Sequence, residues 1–213
     1  FLILPILFLL TVYTQKKSKN TYRKKPYLLN LFFIGYLFGV GFFLSGIHWI
    51  SHSLTFDEIF KFLVPVAIIG LPIFLGLFFG LANLIVGPFL KNNFTSIILF
   101  SSSFAFMDYV RAEILSGFPW NIWAYTWSWK PEILQSLFYI GFFSFNLLCI
   151  IIYCSPLLLI FKKRINFFLF FIISLLFFGN YIYGSSIIKK NDKNFIELNL
   201  NLENSIYTKI ISP

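Results

Sequence analysis

Long apolar runs separated by short polar loops organise this chain. Six are readable: Phe1 to Thr14, Leu28 to Ile50, Phe62 to Leu90, Phe94 to Val110, Ile133 to Phe161 and Ile165 to Tyr183. Each is apolar around most of its circumference rather than along one stripe, which predicts helices immersed in lipid. A helix of about 20 apolar residues crosses the ~30 Å hydrocarbon layer. The first run is shorter and reads as part of a longer span. The third is long enough to tilt and carries Pro65, Pro72 and Pro88. Runs this long exceed any ordinary strand. The expected fold is therefore an all-α integral membrane protein, a polytopic bundle of about six spans.

The pattern changes after Gly184. Lys189 to Asn194 reads as a polar linker, and Phe195 to Leu202 alternates apolar and polar residues. That alternation predicts a half-buried strand. One strand cannot stand alone, so it reads as the first strand of a further domain. The expected division is a transmembrane domain over 1–184, then 185–213 as linker and start of that domain. Both ends look cut, since the chain starts inside an apolar run at Phe1 and stops in a polar stretch at Pro213. The sequence is accordingly read as a fragment.

Composition sharpens the membrane reading. Hydrophobic residues make up 58% and charged residues 12%, against about 25% charged in a soluble domain. The net charge of +9 comes from 17 Lys+Arg and 8 Asp+Glu, with the cations gathered in short loops. Such clustering reports topology rather than a phosphate-binding face, so no nucleic-acid partner is expected. If the six runs alternate, Lys16, Lys17, Lys19, Arg23, Lys24, Lys25, Lys91, Lys162, Lys163 and Arg164 share one side. Lys61, Arg111 and Lys130 share the other. The richer side is expected to be cytoplasmic. The C-terminus then faces outward, which in a bacterium means the periplasm or cell exterior.

Candidate chemistry concentrates from the outer end of the fourth run onward. Asp108 and Arg111 stand three residues apart, on one helix face. An ionisable residue inside a span costs roughly 2.5–3.5 kcal/mol on insertion scales and usually has a partner or a polar cavity. Two readings stand side by side: an interfacial ion pair ending a helix, or a polar site where Arg111 holds a phosphate or lipid ester. Gly117-Phe118-Pro119-Trp120 resists continued helix. Trp120, Trp123, Trp127 and Trp129, with Tyr125 among them, suit the membrane interface. They read as an aromatic belt or as a lip that guides acyl chains.

The second run holds small residues at Gly35, Gly39, Gly41, Ser45 and Gly46, which permit close helix packing. His48 and His52 are spaced for one helix face, but no third ligand accompanies them, so no metal and no cofactor is expected. Cys149 and Cys154 lie mid-run, where a thiolate is disfavoured, and read as packing residues rather than nucleophiles.

Together these stretches resemble the bacterial apolipoprotein N-acyltransferases. Gly35 to Trp49 is similar to that family's G-x-x-x-G-x-G-x-x-x-S-G-x-x-W segment, and Asp108 to Trp120 to its E-x-x-R-x-x-x-x-x-G-F-P-W segment. Ala124-Tyr125-Thr126 stands where the family usually reads Gly-Tyr-Ser. Asp108 replaces the usual Glu, and His48 an expected Asn. The order of spans is also similar, so the resemblance covers essentially the whole chain.

The resemblance implies transfer of a phospholipid acyl chain to the N-terminal amine of the diacylglyceryl-cysteine of a lipoprotein. The transfer would run through a thioester on a catalytic Cys. It also implies that the catalytic Glu, Lys and Cys lie in a nitrilase-like domain beyond residue 213, leaving no catalytic residue here. The implied partners are a phospholipid acyl donor and a diacylglyceryl apolipoprotein acceptor. The substrate- or lipid-binding candidates are Asp108, Arg111, Gly117, Phe118, Pro119, Trp120 and Tyr125, with Ser45, Gly46, His48 and Trp49. The rival readings are a stand-alone transporter or lipid-binding scaffold, or the membrane module of another lipid-linked transferase.

Overall fold

The structure, a computed structural model, describes residues 2–21, 26–56, 58–114, 117 and 119–200. Every regular element among them is helical. In order these are α1 (Ile3–Thr21), α2 (Pro26–Ile47), α3 (Ile50–Ser53), α4 (Val64–Val86), α5 (Phe94–Glu113), α6 (Pro131–Leu134), α7 (Leu137–Ile140), α8 (Phe142–Cys154), α9 (Leu157–Ile160) and α10 (Arg164–Leu200). Short 3₁₀ turns cover Glu58–Leu63, Gly87–Phe89 and Trp123–Trp127.

Local chemistry sets several boundaries. Asn93 caps α5, its side chain accepting the Ser96 N–H at 2.8 Å, which satisfies a donor that the first helical turn leaves open. Pro65 sits in the first turn of α4, where its missing N–H costs nothing. Pro72 lies inside α4 without ending it, whereas Pro88 falls in the 3₁₀ turn after it.

The tightest pairing is antiparallel, α2 against α4. A Cβ on Gly35 would stand 2.5 Å from the Phe79 carbonyl oxygen, and one on Gly39 would stand 3.0 Å from the Gly76 Cα. Small residues thus bring the two backbones together, as lipid-embedded helices require. Gly41 has open space instead. Asn83 ties three helices: its amide donates to the Leu31 carbonyl at 2.7 Å, and its oxygen accepts from the Thr11 hydroxyl at 2.9 Å. Phe8, Phe43, Phe79, Phe100 and Phe104 are fully buried between α1, α2, α4 and α5. Phe79 is their hub, with ring centroids 5.3 Å from both Phe43 and Phe104.

The structure departs from the sequence expectations in three places. Four helical stretches among the described residues are long and apolar enough to cross a membrane: Tyr27–Ile47, Glu58–Phe89, Phe142–Ile160 and Arg164–Glu197. The expected count was six. The other two runs form α1 and α5, helices of 19 and 20 residues whose lysines, serines and Asp108–Glu113 end dilute their apolar character.

The fifth run, Ile133 to Phe161, is not one helix. Gly141 at φ 75° breaks it between α7 and α8, and a turn at Ser155–Pro156 separates α8 from α9. Glycine takes that backbone angle without Cβ strain.

The third departure is the expected strand. Residues 195–200 continue α10, which runs 37 residues from Arg164; residues 201 and 202 lie outside the described part. No strand exists among the described residues to pair with, so the backbone satisfies its hydrogen bonds within the helix. The helix also passes Gly184 unbroken, with that glycine pressed against the Glu132 carbonyl.

Candidate functional site

The last two turns of α5 deliver Asp108 and Arg111 to the bundle interior, on one face as their spacing requires. Asp108 is 0% and Arg111 2% exposed. Arg111 Nη2 donates to Asp108 Oδ1 at 3.0 Å, and Nη1 donates to the Trp120 carbonyl at 2.7 Å. The guanidinium lies 5.0 Å over the Phe43 ring of α2. On the far side Asn146 of α8, also fully buried, donates to Asp108 Oδ2 at 2.9 Å. Its own oxygen accepts the Ala124 N–H at 3.1 Å.

Burying two charges costs several kcal/mol per ion unless geometry and further hydrogen bonds offset it. Here the further bonds end on the backbone of the loop after α5, at Trp120 and Ala124. The ion pair is thereby a clamp on that loop.

The loop is drawn into the bundle at Ile122, Trp123 and Ala124, which are buried, while Trp120, Tyr125 and Trp129 stay exposed. Gly117 at φ 80° and Asn121 at φ 56° turn it back toward the helices. Trp123 stacks on Phe42 at 4.6 Å, five residues in from the end of α2. Trp127 packs against Phe177 of α10 at 4.9 Å, and Thr126 hydrogen-bonds the Tyr153 hydroxyl of α8. Irregular backbone at such a depth is tolerated only when protein covers it and its polar groups are satisfied. Asn146 satisfies Ala124, and local 3₁₀ bonds such as Tyr125 N–H to Ile122 O at 3.0 Å satisfy others.

The two sequence motifs meet here. The rings of Trp49 and Trp120 lie 4.6 Å apart, and a Cβ on Gly46 would collide with the Asn121 amide. Trp49 is 43% and Trp120 47% exposed. With exposed Tyr125 and Trp129 they form an aromatic surface above the buried clamp.

The apolipoprotein N-acyltransferase N-terminal domain matches residues 1–155, and so contains both motifs and the clamp. The chain belongs to that family. An apolipoprotein N-acyltransferase of Rhizobium etli is 36% identical over 128 residues, 60% of this chain and 24% of the relative. One of Brucella melitensis is 35% identical over 127 residues, 59% of this chain and 24% of the relative. One of Rickettsia prowazekii is 32% identical over 170 residues, 79% of this chain and 34% of the relative. The chain thus spans about a quarter to a third of the length of these family members.

Of the residues singled out in the sequence, Asp108, Arg111, Trp120, Gly46 and Trp49 come together. Gly117 makes the turn, Pro119 is half-buried beside it, and Tyr125 faces outward with its ring 5.1 Å from Phe142. Phe118 lies outside the described residues. Ser45 and His48 stand apart from the clamp on an exposed helix end: Ser45 donates to the Gly41 carbonyl at 2.9 Å, and His48 Nδ1 lies 3.0 Å from the Ser45 carbonyl. Two participants escaped the sequence reading, Asn146 and Phe43. A lone Asn in an apolar run was the available signal for the first, because an amide in hydrocarbon needs a partner. Phe43 carried none among so many phenylalanines.

Proposed function

We propose that this chain is the membrane part of an enzyme that transfers a phospholipid acyl chain to the N-terminal amine of the diacylglyceryl-cysteine of a lipoprotein. Family membership and the relatives' shared name support the reaction class. The observation that carries the reading is the clamp: the buried Asp108–Arg111–Asn146 cluster fixes Trp120 beside Trp49. On this reading the exposed aromatics Trp49, Trp120 and Tyr125 contact acyl chains of donor and acceptor, since Trp and Tyr favour the interface. Asp108 and Arg111 act as positioning residues for that surface.

The aromatic end then faces the periplasm of the inner membrane, the lysine-rich end the cytoplasm, with α1 and α5 crossing beside the four longer helices. The nucleophilic Cys and its Glu and Lys partners belong to a part of the enzyme outside this chain. Cys149 and Cys154 are buried among apolar neighbours and unsuited to that role. Residues 1–213 alone are expected to transfer no acyl group.

The test is Arg111→Ala in the full-length enzyme. Acyl transfer should fall while membrane insertion persists, and KM for the lipid donor should change if the aromatic surface is displaced. Wild-type turnover in that variant would reject the assigned role.

A further inference from the structure

We propose that the turn joining α9 to α10, at the lysine-rich end, does more than the topology role read from its sequence and binds the headgroup of an anionic phospholipid. A cleft of about 250 Å³ opens there, lined by Leu158, Leu159, Lys162, Lys163, Arg164 and Phe167. Three consecutive cations therefore share one concavity with three apolar side chains. Lys162 adopts φ 52°, which reverses the chain so that Lys163 and Arg164 open α10 beside it. The N–H groups of Asn166 and Phe167 both bond the Lys163 carbonyl, so those of Arg164 and Ile165 sit in the open first turn of a 37-residue helix. That turn adds partial positive charge to the three cations.

Among the described residues no acidic side chain forms an ion pair with them. Among the described residues the two ion pairs are Lys61–Glu58 and Arg111–Asp108. The sequence has no Asp or Glu between Glu132 and Asp192. An anion from outside the chain can supply the counter-charge. The apolar wall decides its source: Leu159 and Phe167 are exposed beside the cations and, in a bilayer, meet acyl chains directly beneath a phosphate. Basic pockets between helices at the membrane face hold such headgroups by phosphate charge and chain contact together. A free phosphate would use only the first of these. The proposal does not depend on the acyltransferase reading, since the cleft lies at the end opposite the Trp49–Trp120 surface.

The experiment is native mass spectrometry of the intact chain released from nanodiscs of phosphatidylglycerol mixed with phosphatidylcholine. Retained phosphatidylglycerol adducts are expected over phosphatidylcholine, weakening with salt. The variant Lys162→Gln/Lys163→Gln/Arg164→Gln should lose affinity by up to on the order of 100-fold, taking ~1 kcal/mol per basic residue at the surface. Because removing these charges can invert topology, Leu159→Trp provides a second arm. It keeps every charge, crowds the cleft and should also lower retention. Lys16→Gln/Lys17→Gln should retain the lipid. Equal retention of both lipids would overturn the proposal. So would unchanged retention in Leu159→Trp, or displacement of the lipid by millimolar inorganic phosphate.

Discussion

The two ends of the bundle treat charge in opposite ways. At the aromatic end a carboxylate and a guanidinium are buried, and their remaining hydrogen bonds reach the backbone of an irregular loop. At the basic end Lys16, Lys17, Lys91, Lys162, Lys163 and Arg164 are all exposed, and short connections join α4 to α5 and α9 to α10. Buried charge at one end fixes a shape, because an ion pair in a dry interior must keep its geometry. Exposed charge at the other fixes no shape but biases orientation and attracts anions. On the proposed reading, function that depends on precise placement belongs with the first kind.

Substitutions should separate the two ends by size of effect. Asp108→Ala and Arg111→Ala each leave one buried charge unanswered, and should each destabilise by about 3–5 kcal/mol. Denaturant titration in detergent would measure this, and the double variant Asp108→Leu/Arg111→Met should be less damaged than either. Asn146→Leu removes the partners of both Asp108 and the Ala124 N–H and should cost ~1–3 kcal/mol per group left unsatisfied. Faster proteolysis between Gly117 and Trp129 should accompany it. Gly35→Leu, aimed at the Phe79 backbone, should cost about 1–3 kcal/mol, whereas Gly41→Leu, facing open space, should cost nothing measurable. A double-mutant cycle on Trp49 and Trp120 should return a coupling of ~0.5–1.5 kcal/mol. The smallest effect belongs to the basic end: Lys16→Gln/Lys17→Gln should stay within roughly 0.5 kcal/mol. A large loss there would erase the contrast between the ends.

Much of the fold was legible because lipid imposes one simple rule, that long apolar runs become helices. The runs at Leu28, Phe62 and Phe94 emerged as α2, α4 and α5 with nearly the expected limits. The rule is blind to interruptions that protein contacts stabilise. Ile133 to Phe161 looked continuous, yet Gly141 and Pro156 divide it; α6 packs against α10 and the Trp123–Trp127 turn, and Tyr139 of α7 meets Tyr183 of α10. It is equally blind past the last span, where Phe195 to Leu200 alternates like a strand but has no strand to pair with and stays helical.

At the site, the Asp108–Arg111 pairing followed from spacing alone. That the pair would be buried, and bonded onward to Trp120, did not. Burial depends on what the loop does next, and the loop's inward course rests on Gly117, Asn121 and the distant Asn146. A single sequence does not reveal that Asn146 and Ala124, 22 positions apart, share a hydrogen bond.

The most direct test of the clamp is a short-range crosslink between the two motifs. Trp49→Cys and Trp120→Cys would be introduced together and treated with a short bifunctional reagent in membranes; Cys149 and Cys154 are buried and do not compete. With Asp108 and Arg111 intact, the pair should crosslink efficiently. Adding Arg111→Ala should reduce it to the level of a control pair of cysteines at Trp49 and Tyr139. Crosslinking that survives Arg111→Ala undiminished would contradict the claim that the buried ion pair holds the aromatic loop in place.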